Sequence, residues 1–96
     1  MGKFPVNYNA YKIGTAQFIS TYRGQIIFIL EPRTMGRKAT INTHGFHTKT
    51  TIRCLNLAFE ECGLPWRASL KAGITTVQTE DNLHTLGDIE YVIFIN

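Results

Sequence analysis

At 96 residues the chain has room for one domain, 1–96, with a modest core, and it is too short for a nucleotide-binding α/β enzyme of ordinary design. A hydrophobic share of 44% against 18% charged is that of a folded protein, and the longest apolar run, Ile26–Leu30, is far below the roughly 20 residues of a membrane helix. The net charge of +3 hides an asymmetry: residues 1–59 carry eight basic side chains and one acid, Glu31, whereas residues 60–96 carry Arg67 and Lys71 against six acids.

In chain order, residues 1–14 read as an N-terminal arm or a short edge strand. Phe4, Val6, Tyr8, Tyr11 and Ile13 can pack, but Pro5, Asn7, Asn9 and Gly14 interrupt them. The start lacks the apolar stretch of a signal peptide, so a cytoplasmic protein is expected. Residues 15–31 predict a β-hairpin, with Thr15–Thr21 leading into the turn Tyr22-Arg23-Gly24-Gln25 and Ile26–Leu30 returning. The return strand is too apolar for strict alternation, which points to the sheet interior. Residues 32–38 form a polar loop carrying Arg33, Arg37 and Lys38, and residues 39–43 a short third strand ending at His44-Gly45-Phe46-His47.

Residues 49–62 are the clearest helix. Ile52, Leu55, Phe59 and Cys62 recur on one face, and Lys49, Arg53, Asn56 and Glu60 on the other. Thr48 or Thr50 can cap its start, and Gly63 before Leu64-Pro65 ends it. Its charges oppose the macrodipole: Lys49 and Arg53 open the helix, and Glu60 and Glu61 close it, each misplaced charge costing about 0.3–1 kcal/mol. Cations and free N–H groups converging at a helix start favour an anion.

Beyond the helix, Trp66–Leu70 and Ile74–Gln78 around Lys71-Ala72-Gly73 predict a second hairpin. Residues 79–87 are a polar connection containing His84. From Tyr91 the last strand is apolar on both faces, which predicts a central strand or one paired with another subunit. The fold class that results is α+β: a single helix on a mostly antiparallel sheet of about five or six strands, in the order ββ-β-α-ββ-β. Cys54 and Cys62, about 12 Å apart along the helix axis, are expected as free thiols.

No cofactor motif is present. The segment Gly45–Thr50 places Lys49-Thr50 at a helix start, but Thr48 and Thr43 stand where a phosphate-binding loop needs glycines. The Cys and His residues do not converge as metal ligands, because Cys62 lies far along the helix from His44 and His47. What remains is a non-enzymatic anion site. Arg33, Arg37 and Lys38 of the loop, with His47, Thr48, Lys49, Thr50 and Arg53 at the helix start, are the expected contacts to a nucleic-acid backbone. Tyr22 and Phe46, at turns, could stack on bases.

Two other readings compete. The size and character resemble those of accessory or inhibitor proteins of phages and mobile elements, which would put the basic face against an acidic host protein. A small metal-independent ribonuclease would use His44 and His47 as acid and base. No membrane partner is expected, and an edge strand could support a homodimer.

Overall fold

A computed structural model describes residues 5–14 and 16–96. Its elements are β1 (Tyr8–Ile13), β2 (Gln17–Tyr22), β3 (Gln25–Pro32), β4 (Arg37–Ile41), α1 (Lys49–Glu61), β5 (Arg67–Lys71), β6 (Ile74–Gln78), β7 (Leu83–Thr85) and β8 (Tyr91–Ile95). The expected order therefore stands, with residues Tyr8–Ile13 forming β1 as the edge-strand reading of 1–14 had it, and with β7 added. The strands divide between a five-stranded sheet, β1-β2-β3-β4-β8, and a three-stranded sheet, β5-β6-β7, each antiparallel throughout. Phe4 and Thr15, which figured in the sequence reading, lie outside the described residues.

Helix α1 and the small sheet cover one face of the large one. Phe59 of α1 meets Phe28 of β3 at 5.4 Å between ring centroids and Trp66 at 5.6 Å, both edge-on. Around them Leu55, Ala58, Ile41, Ala39 and Val77 are fully buried or nearly so. Such aromatic pairs add about 0.5–1.5 kcal/mol beyond the area they bury. The two halves of this layer are joined by Asn56, whose side chain accepts from the Ala68 N–H at 2.7 Å and donates to the Ala68 carbonyl at 3.0 Å. One amide thus acts as a strand neighbour for β5.

The helix ends as its sequence demands. Gly63 takes φ +73°, its N–H donates to the Glu60 carbonyl, and the Leu64 N–H donates to the Phe59 carbonyl at 2.9 Å. This doubly bonded left-handed stop places Leu64 against Phe59. Cys62 is the C-cap rather than the last helical residue.

Four local expectations change. Arg37 and Lys38 belong to β4 rather than to a loop, because they pair with Pro32 and Glu31 on one side and with Ile95 and Phe94 on the other. Only residues 33–36 remain as the connection. Thr43 leaves the strand for a turn. The connection 79–87 contains β7, a three-residue strand too short to show a period, and its His84 is half-buried: Nδ1 lies 3.0 Å from the Tyr91 hydroxyl. Lastly, β8 is an edge strand and not a central one. Its apolar run reflects the core beneath Ile93 and an outer face that carries Val92 and Phe94.

Candidate nucleic-acid interface

Two tight turns meet at the start of α1. In the β2–β3 turn Arg23 and Gly24 both take positive φ, +54° and +76°, the geometry that matches the twist of a two-residue hairpin. This turn lifts Arg23 out of the sheet, its guanidinium 5.5 Å from the Tyr22 ring centroid. The second turn, Thr43–Phe46, has His44 and Gly45 at φ +53° and +79°, and it closes with the Phe46 N–H donating to the Thr43 carbonyl at 2.9 Å. The Asn42 side chain accepts from the His44 N–H. Phe46 is left 55% exposed beside the helix start.

Thr48 is the N-cap. Its hydroxyl accepts from the Thr51 N–H at 3.3 Å and lies 3.1 Å from the Thr51 hydroxyl. No acid occupies the first turn of α1. Tyr22, Arg23, Gln25, Phe46, Thr48, Thr50 and Thr51 together line a pocket of about 240 Å³. A separate open groove runs along another side of α1, lined by Lys49, Arg53, Asn56, Glu60 and Arg67. Lys49, Arg53 and Arg67 outnumber Glu60 there, so the groove favours anions.

The expected site residues divide into two groups. Thr48 and Thr50 line the pocket, and Lys49 and Arg53 line the groove beside it on α1. Arg33, Arg37 and Lys38 lie at the opposite end of β4, whose five residues Arg37–Ile41 alone span about 13 Å. The Arg33 guanidinium packs over the Phe94 ring at 4.4 Å. Arg37 acts on the far end of the helix: burial pushes the Cys62 thiol up to about 11, while the charges of Arg37 and Lys12 pull it down. One point contact cannot use both groups.

The two histidines point to different partners. His44 Nε2 donates to the Ile26 carbonyl at 2.7 Å. His47 has both ring nitrogens engaged, Nδ1 with the Thr75 hydroxyl and Nε2 with Asp88 Oδ1, each at 2.7 Å. Protonated, the ring donates to both; neutral, it accepts from Thr75 and donates to Asp88. His47 is thus a clasp that ties the helix start to β6 and to the loop before β8. An acid–base pair would have to release the His47 ring from Thr75 and Asp88 and His44 Nε2 from the Ile26 carbonyl. Cys54 is fully buried, and that burial pushes its thiol up to about 11.

Sequence reasoning passed over Arg23 and Arg67 as contacts. Arg23 left a signal: an arginine at the first centre of a tight hairpin turn must adopt positive φ, which non-glycine residues other than Asn and Asp seldom do. Arg67 left none, since its nearness to Arg53 depends on how β5 folds back along the helix. No known protein family, curated protein or solved structure matches this chain.

Proposed function

We propose that the protein binds single-stranded nucleic acid at the start of α1, phosphates following Arg23, Lys49, Arg53 and Arg67 and bases stacking on Phe46 and Tyr22. The observation that carries this reading is the pocket in which an arginine-bearing turn, two aromatic rings and the uncapped-by-acid helix start converge. Cationic grooves with accessible aromatic rings suit single strands, because every base has a stackable face and stacking contributes about 1–3 kcal/mol per base. A duplex would hide those faces. The reversed helix charges then have a purpose, since Lys49 and Arg53 compensate phosphate rather than the macrodipole.

The test is binding to labelled single- and double-stranded DNA and RNA at two salt concentrations. Affinity for single strands is expected to fall steeply with salt, and Lys49→Ala/Arg53→Ala and Arg23→Ala to weaken binding and flatten that dependence by about one power of salt per lost contact. Lys38→Ala, at the far end of β4, should leave affinity unchanged. Absence of binding at low salt would overturn the reading and direct attention to a protein partner.

A further inference from the structure

Among the described residues there are four sheet edges, and three of them are protected. β1 carries Lys12, and β7 is only three residues long. β5 carries Arg67 and Lys71, and Asn56 closes its edge by bonding both backbone groups of Ala68. Strand β8, Tyr-Val-Ile-Phe-Ile, has no charge and no proline within it, and its pairing with β4 runs without a bulge. Natural edge strands avoid this combination because bare N–H and C=O groups flanked by apolar side chains pair with another strand.

The hydrogen-bond pattern fixes which groups are bare. The Asn42 N–H donates to Ile27 and the Arg33 N–H to Gly36, so even-numbered residues of the β4 strand line face β3 and the odd-numbered ones face β8. Arg37, Ala39 and Ile41 lie opposite Ile95, Ile93 and Tyr91, so these three β8 residues spend their backbone groups on β4. Gly36 confirms the direction: a Cβ there would sit 1.9 Å from the Ile95 carbonyl oxygen, which therefore points inward. Val92 and Phe94 point their N–H and C=O groups away from the sheet. Their side chains share its outer face, where Phe94 is 57% exposed.

We propose that β8 pairs antiparallel with β8 of a second copy of this chain about a two-fold axis at Ile93, placing Val92 of each protomer opposite Phe94 of its partner. The register that overlaps all of Tyr91–Ile95 is self-complementary. Val92 and the partner's Phe94 form a pair that exchanges both backbone hydrogen bonds, the symmetric pair does the same, and the two Ile93 residues meet as a non-hydrogen-bonded pair. Charge agrees with this register. Glu90, exposed at one end of β8, becomes a diagonal neighbour of the partner's Phe94, on whose ring Arg33 lies. Glu90 and Arg33 of opposite protomers thus approach twice by symmetry. The result is a continuous ten-stranded sheet with both helices on one side, and it stands independently of nucleic-acid binding.

The experiment is the mass of the 96-residue chain in solution, by light scattering and sedimentation over a wide concentration range, with circular dichroism as the check on fold. The unmodified chain is expected as a dimer. Val92→Pro removes an outward N–H without touching a bond to β4, and Phe94→Lys puts a charge on the facing surface; both should give folded monomers. Ile93→Cys, with the two axial Cα atoms about 4.5 Å apart, should form a disulfide-linked dimer on mild oxidation. A monomeric unmodified chain, or a dimer that survives both Val92→Pro and Phe94→Lys with its fold intact, would overturn the proposal.

Discussion

The two ends of α1 are built for different purposes. At the C-terminal end the Cys62, Gly63 and Leu64 N–H groups close the last turn, Tyr8 donates to the Glu61 carboxylate at 2.9 Å, and Phe59 lies in the centre of the core. At the N-terminal end Thr48 caps the helix and His47 is clasped, but the first turn carries a lysine and opens into a pocket. A helix anchored in the core at one end and bordered by a pocket at the other has its packing concentrated away from the pocket. Substitutions at the two ends should therefore separate folding from binding.

The largest effect is expected from Phe59→Ala, which empties the centre of the aromatic stack and should lower unfolding free energy by about 3–5 kcal/mol in a denaturant titration. Gly63→Ala should cost about 1–2 kcal/mol. A Cβ there meets nothing within 4 Å, so the cost is the left-handed conformation alone, and a neutral result would mean that the stop is not needed. Thr48→Ala should cost about 1 kcal/mol by removing the cap, and it should weaken nucleic-acid binding as well because the pocket wall moves.

Alkaline pH probes the buried side of the helix. Both thiols rise from 9.0 to about 11 in the folded protein. A thiol that keeps its proton when folded binds more protons than the unfolded chain does between those values, so stability should decline as pH climbs from about 9 to about 11. Thermal melts across that range, repeated with Cys54→Ala/Cys62→Ala against its own neutral-pH value, would show a shallower decline in the variant.

The smallest effect is the most telling. Lys49→Ala removes a cation from the positive end of the helix dipole and should stabilise the protein by about 0.3–1 kcal/mol while weakening polyanion binding. Loss of stability instead would assign Lys49 a structural role and remove the contrast between the ends.

Much of this fold was legible because its signals are local. Ile52, Leu55 and Phe59 carry the helical period, Gly63-Leu64-Pro65 carries the stop, and Arg23-Gly24 and Ala72-Gly73 carry the two hairpin turns. Each depends on residues within about one turn of one another, where spacing alone determines geometry. Thr48, Lys49, Thr50 and Arg53 could be placed together for the same reason.

What lay beyond sequence were the relations between distant segments. A run such as Tyr91–Ile95 looks alike in the centre of a sheet and at its edge, since periodicity records burial of side chains and is blind to the hydrogen bonds of the backbone. Only the pairing of β4 with β8 showed that Val92 and Phe94 face outward. Arg37 and Lys49 are twelve residues apart in a basic stretch, yet the extended strand between them carries them to opposite ends of the helix. The sequence by itself determined which segments are helix, strand and turn, because those depend on neighbours. The tertiary structure alone decided which cations share a surface, and which edge is left unpaired, because both depend on where the chain returns.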